Sequence, residues 1–152
     1  MDFNKLINDI KQLNTRLDWD EYFIVTSFLI SKRSSCDRLN VGCVITKDKR
    51  IISTGYNGHI PGTPHESIIV NNHEQMTIHA EVNAICHAAK TGTSLNDCIV
   101  YITHFPCINC TKSLIASGVK KIVYGEDYKN NKIVYKLLQS KDIEIVKMKI
   151  ED

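Results

Sequence analysis

The stretch TIHAEVNAICHAAKTGTSLNDCIVYITHFPCINCTKSLIASG, residues 77–118, decides the fold. Over residues 77–90, Ile78, Val82, Ile85, Cys86 and Ala89 form an apolar stripe at helical spacing, and Gly92 stands just past its end as a stop. Residues 98–103 are a short apolar run suited to a buried strand. Pro106 then introduces a second helical pattern over residues 107–117, ended by Gly118. Helix, strand and helix in such close succession belong to an α/β architecture.

Working outward, residues 18–31 predict the first major helix, with Asp18 as its N-cap. Residues 41–46 and 50–56 are β-branched runs separated by Lys47-Asp48-Lys49, a polar turn of hairpin length, so they should pair antiparallel. Residues 57–72 contain Gly58, Pro61, Gly62 and Pro64 and predict neither helix nor strand; a loop this long in a compact domain is usually functional. Downstream, residues 122–124 read as a strand, 133–140 as a helix and 143–148 as a final alternating strand. The order α-β-β-α-β-α-β-α-β predicts a three-layer α/β fold with a five-stranded mixed sheet between helices, one domain spanning residues 1–152.

Composition is consistent with this. The chain has 152 residues, 43% hydrophobic and 24% charged, which argues against disorder and coiled coil. No run of about 18 apolar residues occurs, and the first eleven residues carry charge through their apolar positions, so neither a membrane span nor a secretory signal is expected. A cytoplasmic location is the expectation. A net charge of +2 is too small for a nucleic-acid footprint and points to a small ligand. The six cysteines, at 36, 43, 86, 98, 107 and 110, lie partly inside apolar stretches and suggest buried thiols plus a metal site, not a disulfide framework.

The metal candidates are His79, Cys107 and Cys110. The two cysteines are three apart at the start of a helix, where unpaired amides favour thiolates, and His79 stands at the start of another. One imidazole and two thiolates make a three-ligand zinc site with an open position, the catalytic pattern; a structural knot would want a fourth protein ligand, and none is adjacent. The ligand charges sum to cancel Zn2+. Glu81, two residues beyond His79, can point into the same cleft around the first helical turn and is the candidate proton shuttle.

His79-Ala80-Glu81 with Pro106-Cys107-Ile108-Asn109-Cys110 is recognised as the signature of zinc deaminases. Further segments extend the likeness: Glu21-Tyr22-Phe23, Ser31-Lys32-Arg33-Ser34, Val41-Gly42, residues 50–58 ending in Gly55-Tyr56-Asn57-Gly58, and Thr103-His104-Phe105. With these, the chain resembles the deoxycytidylate (dCMP) deaminases of the zinc-dependent cytidine deaminase superfamily from about Trp19 to Val146. The resemblance implies hydrolysis of dCMP to dUMP for thymidylate synthesis, with Glu81 moving the proton from water to pyrimidine N3 and then to departing ammonia. It also implies a homo-oligomer, hexamer or dimer, activated by dCTP with Mg2+ and inhibited by dTTP. It assigns Asn57 to the nucleoside and the Ala80 amide to the base carbonyl. For the phosphate, Arg33 and Arg38 are both candidates, and Arg33 is preferred because it lies in the matching Ser-Lys-Arg-Ser stretch.

The likeness to close bacterial members breaks between residues 63 and 75. Glu66 and Glu74 stand there where those proteins carry cysteines that help hold a second zinc, and the segment resembles members from large DNA viruses. Cys36, His65 and His73 remain as candidate ligands of a second, structural zinc, with Glu66 able to complete four. Cys43, Cys86 and Cys98 read as buried apolar groups, His87 as structural, Trp19 as packing at a helix entry, and His104 and Phe105 as lining a base pocket. His59 reads equally as a phosphate contact or a plain loop residue. Three alternatives stay open: a deaminase that also takes dCTP, a tRNA or nucleoside deaminase, and a non-catalytic zinc-binding module.

Overall fold

The computed structural model describes residues 2–150. Helix α1 (Phe3–Lys11) precedes α2 (Trp19–Ser31), which leads into the hairpin β1 (Gly42–Lys47) and β2 (Arg50–Tyr56). Four two-residue strands follow: β3 (Gly58–His59), β4 (Ile69–Val70), β5 (His73–Glu74) and β6 (Thr77–Ile78). The chain continues as α3 (Ala80–Thr91), β7 (Ile99–His104), α4 (Ile108–Ala116), β8 (Lys121–Glu126), α5 (Lys132–Gln139) and β9 (Glu144–Lys147). The main sheet has five strands in the order β2-β1-β7-β8-β9, with β1 antiparallel to both neighbours and β7, β8 and β9 parallel.

Local chemistry explains the principal elements. Asp18 caps α2 through a complete capping box, its carboxylate accepting from the Glu21 amide at 2.7 Å while Glu21 accepts from the Asp18 amide at 2.7 Å. The β1–β2 turn is narrower than the three polar residues suggest. Lys47 belongs to β1 and pairs with Arg50, leaving Asp48 and Lys49, both at positive φ, as a two-residue turn whose twist suits a hairpin. Gly92 ends α3 in the left-handed region at φ 68°, where a side chain would be strained.

Alternation along the strands splits the core into two layers. Val44, Tyr101 and Val123 meet Phe23 and Ile24 of α2 on one face. Cys43, Ile45, Val100, Ile102, Ile122 and Tyr124 face Ala84 and Ala88 of α3, Leu114 of α4, and Val134 and Leu138 of α5 on the other. The small alanines let α3 sit close to β2, and that closeness sets the position of its N-terminus.

Two expectations are corrected. Residues 57–72 were expected to hold no strand, yet β3 pairs with β6, and β4 pairs with β5 across Asn71 and Asn72, both at positive φ. Two-residue strands are too short to display alternation, so composition alone hides them. Helix α1 was not anticipated. Asp2 caps it, accepting from the Asn4 amide at 2.9 Å, and none of its residues is buried, so no core pattern extends into it. No helix among the described residues is long and apolar enough to cross a membrane.

Candidate active site

The C-terminal end of β7, the start of α4 and the start of α3 converge at one rim of the sheet. His79 is the N-cap of α3, with extended dihedrals (φ −71°, ψ 152°) and no side-chain capping bond, so its ring is free to turn toward α4. There Nδ1 lies 3.6 Å from the Cys107 sulfur and 3.3 Å from the Cys110 sulfur. Cys107 is itself the N-cap of α4, its sulfur accepting from the Cys110 amide at 3.4 Å. Zinc bound tetrahedrally, at about 2.3 Å to sulfur and about 2.0 Å to nitrogen, holds a nitrogen and a sulfur donor about 3.5 Å apart, so both imidazole–sulfur separations suit the ion, and all three donor atoms lie within 4.8 Å of one another. Among the described residues, this is the group of three or more His, Cys, Asp or Glu donors able to share an ion.

The electrostatics of the pair are asymmetric. The Cys110 thiol donates to Cys107, which is the main reason the Cys107 pKa is brought down to about 4; hydrogen bonding to His79 and the Cys110 amide adds to this. Cys110, as the donor and the more deeply buried of the two, is pushed upward. His79 is raised chiefly by its hydrogen bond with Cys107. A divalent cation bound here would replace the shared proton, and both sulfurs would then serve as thiolates.

Glu81 is the second residue of α3 and is only 4% exposed. Burial is the main cause raising its pKa, which suits a group that must gain as well as lose a proton. Residues two apart on a helix face different ways, but His79 precedes the helix in extended conformation, and both residues line the same cavity of about 230 Å³.

That cavity gathers most of the other candidates. Asn57, 8% exposed, lines it, as do Ala80, His104 and Phe105. The Asn57 Oδ1 accepts from the Val41 amide at 2.7 Å and the Ser34 hydroxyl at 2.7 Å, while Nδ2 donates to the Leu39 carbonyl at 2.6 Å. One Nδ2 hydrogen remains uncommitted, so toward a ligand this amide is a donor. Ala80 lies in the first turn of α3, whose amides have no acceptor within the helix.

Arg33 does not reach the site. It follows the C-cap of α2, is exposed, and is not among the residues lining the cavity; the stretch that carries it is a helix exit whose amides turn back onto Leu29 and Ile30. Arg38 lines the cavity instead, donating through Nη1 to the Asn72 carbonyl at 2.6 Å and through Nη2 to the Tyr128 hydroxyl at 3.2 Å. The three candidates for a second zinc are not brought within reach of a shared ion. Cys36 and His73 border the cavity, but His65 stacks on His59 with ring centroids 4.9 Å apart. Glu74 accepts from the Ile68 and Met76 amides and so braces the β4–β5 hairpin. Cys43 and Cys98 are buried as expected, whereas Cys86 is exposed because it falls on the outer side of α3.

Sequence reading missed Tyr128 and Lys129, which also line the cavity. The available signal was topological: they follow β8, and loops at the carboxyl ends of parallel strands form the ligand crevice of α/β sheets.

The profile of the cytidine and deoxycytidylate deaminase zinc-binding region matches residues 17–126. The chain is 38% identical over 141 residues to ComE operon protein 2 of Bacillus subtilis, covering 90% of this chain and 75% of that protein. It is 34% identical over 148 residues to the deoxycytidylate deaminase of Enterobacteria phage T2, covering 70% of this chain and 79% of the relative. Among solved structures, the dCMP deaminase of cyanophage S-TIM5 in complex with dCMP and dUMP superposes with a TM-score of 0.79 at 29% identity, covering 89% of this chain and all of the other.

Proposed function

Because this chain belongs to the cytidine and deoxycytidylate deaminase family, we infer that it hydrolyses dCMP to dUMP and ammonia. The observation that carries this reading is the convergence of the His79–Cys107–Cys110 triad, buried Glu81 and two cations in one cavity. The likeness to a dCMP deaminase with dCMP and dUMP bound supports it.

In this reading His79, Cys107 and Cys110 hold zinc, which when bound supplies Lewis-acid activation of water beside C4 of the pyrimidine. Glu81 accepts one proton from the attacking water and delivers it to N3, then takes the second from the new C4 hydroxyl and passes it to the amine as the C4–N bond breaks, leaving the C4 carbonyl and ammonia. Its burial supports this assignment, since a carboxyl shielded from solvent can carry a proton between steps. The Ala80 amide faces the base carbonyl and Asn57 donates to a sugar hydroxyl. Arg38 and Lys129, replacing Arg33, face the phosphate. The chain acts as one domain over residues 1–152.

Steady-state kinetics on dCMP and deoxycytidine test the substrate assignment. Cations built to pair with a phosphate are left without their partner by a nucleoside, so deoxycytidine should be much the poorer substrate, and Arg38→Ala should reduce the preference for dCMP. Equal efficiency on both in the wild-type protein would refute the nucleotide assignment. One observation favours dCTP as an additional substrate: an open groove of about 710 Å³ adjoins the cavity and shares Arg38, Tyr128 and Lys129 with it. Turnover of dCTP decides that point.

The finer parts of the reading have their own tests. A homo-oligomer is expected by sedimentation, and activation by dCTP with Mg2+ and inhibition by dTTP are expected in the same assay. A second zinc at Cys36, His65 and His73 would require His65 to leave its stack on His59, since Cys36 and His73 border the cavity and His65 does not. One zinc per chain in fully active protein removes it.

A further inference from the structure

We propose that Tyr128 is the positioning residue through which the site prefers a phosphorylated substrate. The proposal rests on Arg38 and Lys129 as the phosphate-facing cations.

Tyr128 lies two residues beyond β8, half-buried in the cavity wall, and it touches both cations. Its hydroxyl accepts from Nη2 of Arg38 at 3.2 Å, and the Lys129 ammonium lies 5.4 Å from its ring centroid. Both cations are exposed and long, so each would otherwise lose rotamer freedom on gripping an anion. Arg38 is already held at two points, by Tyr128 and by the Asn72 carbonyl, and a guanidinium has five N–H groups. Three remain for a ligand. Lys129 is kept over the face of the same ring by cation–π attraction. One phenol therefore sets both charges at one rim before substrate arrives.

The phenol is itself braced. Its ring stands edge-on to His104, with centroids 6.0 Å apart and planes at 82°. His104 is locked by a directional chain of hydrogen bonds. The Gly42 amide donates to Thr103 Oγ1 at 3.2 Å, so the threonine hydroxyl is free to donate to His104 Nδ1 at 2.8 Å. The Glu126 carboxylate, 3.1 Å from Nε2, can only accept, so it takes the Nε2 proton and the neutral ring presents Nδ1 to the threonine as acceptor. His104 and Glu126 are register partners on adjacent parallel strands, so the sheet fixes the imidazole and the imidazole backs Tyr128.

The test compares Tyr128→Phe, Tyr128→Ala, Arg38→Ala and the double variant Arg38→Ala/Tyr128→Phe on dCMP and deoxycytidine. Tyr128→Phe keeps the ring and removes only the acceptor for Arg38, so it should lower the ratio of kcat/KM for dCMP over deoxycytidine by about tenfold, the scale of one hydrogen bond to a charged group. The loss should fall on KM for dCMP more than on kcat. Tyr128→Ala, which also releases Lys129, should lose more. In the Arg38→Ala background, Tyr128→Phe should add almost nothing, because its partner is already gone. Equal losses on both substrates, or additive losses in the double variant, would overturn the role of Tyr128. Arg38→Ala lowering the preference while both Tyr128 variants leave it at the wild-type value would overturn the proposal alone. Arg38→Ala leaving the preference intact would overturn the phosphate reading and the proposal with it.

Discussion

Gly55→Ala should damage the metal site from the opposite side of a helix. Gly55 lies in β2 beneath the first turns of α3, and a Cβ there would stand 2.2 Å from the Ala80 carbonyl oxygen and 2.5 Å from the Ala84 amide nitrogen. Ordinary contact begins at 3.4 Å, so the helix must retreat by about 1 Å, and the obstructing atoms are backbone that no rotamer change can remove. The Ser53 hydroxyl, which donates to the Ala84 carbonyl at 2.7 Å, ties the same turns to β2 and opposes the shift. His79, Ala80 and Glu81 would move with α3, while Cys107 and Cys110 would stay with α4. The 3.3 and 3.6 Å separations that suit tetrahedral zinc would then open. Overpacking of this kind destabilises by about 1–3 kcal/mol, and a 1 Å displacement of reacting groups can lower the rate by about 10²-fold. Thermal denaturation, competition for zinc with a chromophoric chelator, and dCMP turnover read the three consequences. Wild-type zinc affinity and turnover in Gly55→Ala would refute the reasoning, even if Tm fell.

Other predictions follow from single contacts. Cys110→Ala should lose bound zinc and turnover together; full zinc content with full activity would contradict the triad. Asp18→Ala removes a complete capping box remote from the cavity and should cost about 1 kcal/mol, seen as a Tm a few degrees lower with kcat unchanged. Asn57→Ala strips partners from the Val41 amide and the Leu39 carbonyl, while the Ser34 hydroxyl keeps the backbone carbonyl of residue 57, so chemical denaturation should show a loss of about 1–3 kcal/mol. A loss in activity with no loss in stability would contradict that network.

Features with local causes were legible in the sequence. Asp18 with Glu21 announces α2, Gly92 closes α3, and the ligand pair Cys107 and Cys110 belongs to one helical turn whose spacing is set by the backbone. What stayed hidden depends on distant partners. Arg33 and Arg38 are chemically equivalent in the sequence; only the Asn72 carbonyl and the Tyr128 hydroxyl, supplied from far along the chain, bring Arg38 to the cavity. Tyr128 and Lys129 carry no motif and acquire a role from the register of β8 against β7. His65 stands at a place where the family resemblance implies a ligand, whereas its stacking on His59 depends on the path of a loop. The short strands β3 to β6 satisfy backbone groups without any side-chain pattern to advertise them.

The central claim is that Glu81 moves protons in a zinc-dependent deamination of dCMP. The most direct measurement follows dUMP and ammonia released from dCMP by purified zinc-loaded protein and by Glu81→Gln, with zinc content and thermal stability recorded for both. The account predicts one ammonia per dUMP from the wild-type protein. It predicts that Glu81→Gln, nearly equal in volume but unable to carry the proton, keeps its zinc and its fold and loses at least about 10²-fold in turnover. No deamination of dCMP by the zinc-loaded wild-type protein, or wild-type turnover by Glu81→Gln, would contradict it.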